Sequence, residues 1–177
     1  MTFLKFSADK EISQLEETAL FKTISTEKIS KILAICNKVR FQEGDTIMRE
    51  GDEGDSIYII LEGTVEVAKN LILKGGDEGE ENRSNKVFTK LKADDHPVFG
   101  EIALLENAKR TATIKALTDC LFYEIRNRDL SALAEEDHEL GYRIMYNLAA
   151  IVSSRLRKAD EELVKLTTVL NIILKES

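Results

Sequence analysis

Residues 99–116 read FGEIALLENAKRTATIKA, and the reading of the whole chain turns on this stretch. Gly100 and Glu101 open it, a short apolar run follows at 102–105, and Arg110 leads into an alternating segment. The spacing predicts one turn of helix starting directly after a glycine. The first amides of such a turn have no partner inside the helix, so they point outward and favour an anion. Arg110 adds a planar, permanently charged fork that suits a phosphate. Glu101 adds an acceptor able to hold a pair of sugar hydroxyls. An anion cradle, a cation and a carboxylate within about ten residues describe a ribose-phosphate pocket. The plain alternative is an amphipathic helix and strand with a surface arginine.

Upstream, from Val39, the pattern is one of short strands broken by glycines. The segments 39–41, 46–49, 56–61 and 64–68 end or begin at Gly44, Gly51 and Gly63. Close spacing with glycine turns predicts an antiparallel roll or sandwich. Asp52, Glu53 and Asp55 read as solvated turn carboxylates, since calcium-loop spacing is absent. Residues 74–86, KGGDEGEENRSNK, lack periodicity and read as the tip of an extended hairpin, with 87–91 as its return strand. Asp94, Asp95 and His96 precede the only proline, Pro97; one histidine in a turn is a thin basis for a metal site. Downstream, 111–117 and 121–125 read as closing strands, followed by a short helix near 130–134. Before the strands, Ile12, Leu15, Ala19 and Leu20 are helically spaced, and Ser25 or Thr26 is placed to cap a second short helix carrying Ile29, Ile32 and Leu33.

The stretch 99–116 resembles the phosphate-binding cassette of cyclic nucleotide-binding domains, close to F-G-E-[LI]-A-L, a spacer, then P-R-x-A-[TS]-[VI]. Gly100, Glu101, Ala103, Leu104, Arg110, Ala112, Thr113 and Ile114 match; Lys109 stands where that family usually has proline. The run 44–67 and the helical lead-in 20–35 resemble the family's first half. The resemblance implies an α+β, mainly β fold: an antiparallel β-roll or jelly roll with N-terminal helices and a long C-terminal helix. It also implies a ligand site built from Phe99, Gly100, Glu101, Ile102, Ala103, Arg110, Thr111 and Ala112. Amides of Gly100, Ile102 and Ala103 would join Arg110 on the cyclic phosphate, and Glu101 would take the ribose 2′-hydroxyl. Val65, Leu91 and Ile114 would form the apolar wall. The hydroxyl of Thr111 would reach the phosphate or, as in some family members, a guanine in the syn form.

The chain divides into a roll with its lead-in, 1–136, and a helical segment, 137–177. In the latter, Leu140, Ile144 and Leu148 pack one face on the roll. Beyond Val152 the spacing alternates four and three, placing Leu156, Leu163 and Leu170 at heptad position a and Ala159, Leu166 and Ile173 at d. That pattern predicts a parallel coiled-coil homodimer. The segment resembles the dimerisation helix of catabolite-activator-type regulators, whose run here, SSRLRKADEEL, lines the nucleotide base. Arg155, Ala159 and Asp160 are therefore the expected base region or lid. Ala159 and Asp160 stand where cyclic-AMP-responsive activators carry a threonine and a serine, so adenine–guanine selectivity is expected to be modest. Those regulators continue into a helix-turn-helix domain that these residues do not include.

Bulk properties narrow the function further. Net charge is −7, from 25 basic and 32 acidic residues, against a nucleic-acid surface. No apolar run is long enough to span a bilayer and the N-terminus is not signal-like. Cys36 and Cys120 have no CxxC partner and read as buried free thiols, which points to the cytoplasm. No nucleophile has a paired base and no metal-ligand cluster is present, so an enzyme is not expected. The expectation is a cytoplasmic sensor that binds cyclic AMP or cyclic GMP, uses no metal, contacts neither nucleic acid nor membrane, and signals to an unidentified downstream protein through its C-terminal helix. Its rivals are a degenerate docking module on the same fold and a sensor of another ligand; haem would want an axial His or Cys facing the pocket.

Overall fold

Ser56–Glu62, β3, is buried along its whole length except for its last residue. Its side chains alternate between two cores, which is why the run reads as continuously apolar. Ile57, Ile59 and Leu61 face the helices, while Tyr58 and Ile60 face the interior of the roll. The computed structural model describes residues 2–73, 82–102 and 109–176.

The lead-in is helix α1 (Thr2–Glu17), a 3-10 turn (Ala19–Phe21) and α2 (Thr26–Ala34). Ser25 occupies the N-cap of α2 without a side-chain cap bond; Thr26 Oγ1 instead donates to Glu16, at 2.7 Å, and so ties α2 to α1. The strands are β1 (Asn37–Phe41), β2 (Thr46–Met48), β3, β4 (Thr64–Leu73), β5 (Asn82–Lys92), β6 (Val98–Phe99), β7 (Thr113–Ala116) and β8 (Cys120–Arg126). They form two four-stranded antiparallel sheets, ordered β1-β8-β3-β6 and β2-β7-β4-β5. Helices α3 (Asn127–Glu136) and α4 (His138–Glu176) follow. This is the expected antiparallel roll with N-terminal helices and a long C-terminal helix.

Two apolar clusters hold it together. One lies between the sheets, around Tyr58, Ile60, Val65, Phe99, Ile114 and Phe122. The other packs α1, α2, α3 and the start of α4 on the outer face of the first sheet, around Leu20, Phe21, Ile29, Tyr123, Leu140 and Ile144. Burial of each such side chain contributes roughly 1.5–3 kcal/mol before entropy is counted. Lys28 on α2 reaches Asp137 and Glu139 at the start of α4, at 2.8 and 2.9 Å. Asp137 also accepts the Leu140 amide, capping α4.

Three strand expectations change. The hairpin expected to open at residue 74 and resume at 87 keeps its ladder to Leu73↔Asn82, because backbone pairing needs no apolar alternation; residues 74–81 of the expected tip lie outside the described residues. The strand expected over 111–117 is only Thr113–Ala116, since Arg110 and its neighbours are held by a loop instead. Phe99, expected only as the start of the cassette, belongs to β6 and pairs with Tyr58. The turn at Asp94–His96 is a structural corner: His96 has φ 39°, and its Nε2 lies 3.1 Å from a Glu17 oxygen on α1.

Candidate functional site

Arg110 organises the site. Only 7% of the residue is exposed, yet its partners are oxygens of neutral groups. Nη1 donates to the carbonyls of Ser56, at 2.8 Å, and Gly100, at 3.3 Å; Nη2 donates to Ser56 Oγ at 3.4 Å. The guanidinium stands 5.8 Å from the centre of the Tyr58 ring, a cation–π distance. Its backbone is fixed from the other side: the Arg110 amide donates to the Asp52 carbonyl, at 2.7 Å, and the Gly51 amide donates to the Arg110 carbonyl, at 2.9 Å. Among the described residues no carboxylate pairs with this buried charge. Such a charge is costly unless a counter-charge arrives.

Two glycines make room for it. A Cβ at Gly54 would overlap the guanidinium, and one at Gly100 would come within 2.6 Å of Nη1. Gly100 also has φ 82°, a conformation other residues resist. Glu101 and Ile102 follow it as the first residues of the helical turn. In the sequence Gly54 reads, with Gly51 and Gly63, as a turn glycine needed for its backbone conformation; the structure gives it no positive φ, and its role, like that of Ser56, is space and an acceptor for Arg110.

These residues border a cavity of about 480 Å³, within the range of small-ligand sites. Phe99, Gly100, Glu101, Ile102, Arg110, Thr111 and Ala112 line it, with Leu91 and Ile114 on the wall. Ala103 lies outside the described residues. Val65, expected on the wall, is fully buried between the sheets, and Val67, two residues further along β4, takes that place. The base-region expectation changes likewise. Of Arg155, Ala159 and Asp160 only Arg155 borders the cavity, because the turn of α4 presents Lys158 and Glu162 there and rotates Ala159 and Asp160 away. Lys158 and Glu162 lie inside the run SSRLRKADEEL, but the apolar seam, the dominant signal of α4, does not single them out within it.

Glu101 is 4% exposed and is not free. Arg155 of α4 donates to its carboxylate and to the Val98 carbonyl. The long helix is thus tied directly to the carboxylate expected to read a sugar.

No group of three or more His, Cys, Asp or Glu able to hold a metal is found among the described residues, and no helix among them is long and apolar enough to cross a membrane.

Residues 38–137 match the family described as the cyclic nucleotide-binding domain. The chain is 34% identical over 109 residues to a cAMP-dependent protein kinase regulatory subunit of Dictyostelium discoideum, covering 60% of this chain and 31% of that protein. It is 28% identical over 148 residues to the cAMP-activated global transcriptional regulator Vfr of Pseudomonas aeruginosa, covering 81% and 62%. The chain therefore spans less than two thirds of each of these curated relatives. The crystal structure of the Thermus thermophilus catabolite activator protein superposes with a TM-score of 0.70 at 25% identity, covering 84% of this chain and 63% of that one.

Proposed function

Because the chain belongs to the cyclic nucleotide-binding domain family, we propose that it is a regulatory sensor of a cyclic purine mononucleotide, cyclic AMP or cyclic GMP, whose binding repositions α4. The observation that carries this reading is the buried Arg110, held open by two glycines in a cavity where no described carboxylate pairs with it. A cyclic phosphate supplies the missing charge there, beside the amides that open the helical turn at Gly100–Ile102. Glu101 takes the ribose 2′-hydroxyl. Phe99, Leu91, Ile114 and Val67 cover the sugar and base, and Thr111 and Ala112 close the rim. No covalent chemistry is involved and no metal is required. The presence of both Glu101 and Arg110 weighs against a degenerate docking module.

The coupling runs through Arg155. To receive the ribose, Glu101 must share or release the Arg155 guanidinium, so ligand and helix position compete or cooperate at one carboxylate. The output is the exposed apolar stripe of α4. Leu156, Leu163, Leu166, Leu170 and Ile173 are each more than half exposed. Counting heptads back from Leu156 puts Tyr142 at a and Met145 at d, which are also exposed, on the side away from Leu140, Ile144 and Leu148. Between these and Leu156 the register is interrupted, since Val152, at d, packs on the protomer's own core; the continuous exposed stripe from Leu156 to Ile173 supports a parallel homodimer formed by 137–177 next to the sensing unit 1–136. Two free thiols, Cys36 and Cys120, fit a cytoplasmic protein.

Isothermal titration with cyclic AMP, cyclic GMP and a cyclic dinucleotide tests this. Saturable binding of either mononucleotide, lost in Arg110→Ala, is expected; absence of binding by the wild type returns the fold to a docking role.

A further inference from the structure

We propose that Glu124 on β8 is a positioning residue of the ligand site: through the hydroxyls of Ser56 and Tyr58 it sets the Arg110 guanidinium to receive the phosphate, a role that rests on the sensor reading above. Cys120 and Phe122 of β8 belong to the core between the sheets, and the alternation of the strand puts Glu124 next on that same face. A carboxylate is rarely placed on a core face unless it is paired or hydrogen-bonded. Tyr58 stands directly opposite it on β3, with its hydroxyl 3.0 Å from Glu124 Oε1. Ser56 Oγ lies 3.4 Å from the same oxygen and 3.3 Å from the Tyr58 hydroxyl. Ser56 Oγ is also the atom that Arg110 Nη2 reaches, at 3.4 Å. Glu124 forms no ion pair among the described residues, and the residue facing it from β1, Asn37, is uncharged.

Donor and acceptor roles run one way along this chain. A guanidinium only donates and a carboxylate only accepts, so both hydroxyls between them pass their protons toward Glu124. Burial first, and the Glu124 carboxylate beside it, push the Tyr58 hydroxyl up from its ordinary pKa, so it keeps its proton and donates. Ser56 then turns its proton away from Arg110 and offers it a lone pair. The Ser56 and Gly100 carbonyls hold Nη1, and this third acceptor on Nη2 fixes the plane of the guanidinium. A planar fork pairs with a phosphate only when its orientation is right. Without Glu124 the Ser56 hydroxyl is free to aim its proton at Nη2, and the fork loses one of its supports. The Tyr58 ring also stacks on Phe99 of the cavity wall, with 5.4 Å between centres, so the same tyrosine steadies the wall beside the phosphate.

The test titrates the full chain with cyclic AMP and cyclic GMP, as wild type, Glu124→Leu, Glu124→Gln, Ser56→Ala and the double variant of Glu124→Leu with Ser56→Ala. Leucine fills the inward-facing space without offering an acceptor. Glu124→Leu should weaken both nucleotides by the same factor, about tenfold, the low end for one hydrogen bond to a charged group. Glu124→Gln keeps an oxygen that accepts from both hydroxyls and should stay within about threefold of the wild type. Ser56→Ala should cost about as much as Glu124→Leu, and the double variant no more than about twofold beyond Ser56→Ala, because the link is already broken. Losses that multiply to about a hundredfold in the double variant, a Glu124→Gln protein as weak as Glu124→Leu, or wild-type affinity in Glu124→Leu overturns the assignment and leaves the sensor reading intact. If Glu124→Leu does not fold, the cycle is run with Glu124→Ala and read by the same outcomes. Failure of both nucleotides to bind the wild type overturns both readings.

Discussion

Replacing Arg110 with alanine should separate ligand binding from stability, and the structure sets both magnitudes. In the free protein the guanidinium is buried against carbonyl and hydroxyl oxygens with no paired carboxylate among the described residues. Its removal relieves an uncompensated charge and strands the Ser56 carbonyl. These effects oppose one another at about 1–3 kcal/mol each, so the unliganded melting temperature should move by only a few degrees. In the proposed complex the same group faces the only charged part of the ligand. Truncating one partner of a desolvated charge pair costs about 2–5 kcal/mol, or roughly thirty- to several-thousand-fold in Kd. A ligand at a hundred times the wild-type Kd stabilises the wild type by about 2.7 kcal/mol, but a variant bound a hundredfold more weakly by only about 0.4 kcal/mol. For a chain of this size that corresponds to a ligand-induced shift of roughly 5–10 °C against about 1 °C. Differential scanning fluorimetry with and without cyclic nucleotide reads both quantities. An Arg110→Ala protein that melts normally and still shows the full wild-type shift would refute the placement of the phosphate.

The remaining expectations concern the carboxylate, the helix and two titrating groups. Glu101→Gln should weaken cyclic AMP by less than Arg110→Ala does, and the penalty for 2′-deoxy cyclic AMP should shrink in that variant; an equal penalty in both proteins means Glu101 does not contact the ribose. The wild type should sediment as a dimer at micromolar concentration and Leu163→Glu as a monomer, because two charges would enter a dry seam; a monomeric wild type removes the dimer. The Lys28 ammonium and the Leu140 amide hold the Asp137 carboxyl down to about 2, below the ordinary aspartate value of about 4. Its contribution is therefore present above about pH 4 and lost as pH falls toward 2; acid unfolding followed by circular dichroism should lose that component in Asp137→Asn. Burial pushes the Cys36 thiol up to about 12, so a thiol reagent at pH 8 should modify it far more slowly than an exposed cysteine, and rapid labelling of the folded protein would contradict its packing.

The elements with strong local signals were legible in the sequence. The glycine-broken strands, the apolar run of β3 and the long helical period each write their burial into residue order. What was not legible depended on pairing across the fold. Backbone ladders carry β4 and β5 through a polar stretch to Leu73↔Asn82 that no alternation announces. In the site, the cassette gave Gly100, Glu101 and Arg110, which lie close in the chain. Gly54 and Ser56 come from a turn more than fifty residues away from Arg110, and their role exists only once Arg110 is folded over them. That Val67 rather than Val65, and Lys158 and Glu162 rather than Ala159 and Asp160, border the cavity is not legible for a further reason. Periodicity tells which residues share a face, but not which point along that face meets a cavity.

α4 carries three faces, and the proposed coupling between ligand and partner rests on them. Leu140, Ile144 and Leu148 anchor its first turns to the roll. Arg155 ties its middle to Glu101, and Lys158 and Glu162 stand over the cavity. The seam from Leu156 to Ile173 looks outward. A rigid helix cannot turn one face without turning the others, so on the proposed reading a ligand that turns α4 through the Arg155–Glu101 contact also re-aims the seam. Beyond residue 155 the helix is exposed along its described length, so little within the protomer resists such a movement there. If two copies pair through that seam, each ligand acts on the geometry both must share. Linkage then requires the reverse as well: whatever factor the nucleotide applies to the pairing equilibrium, pairing applies to nucleotide affinity.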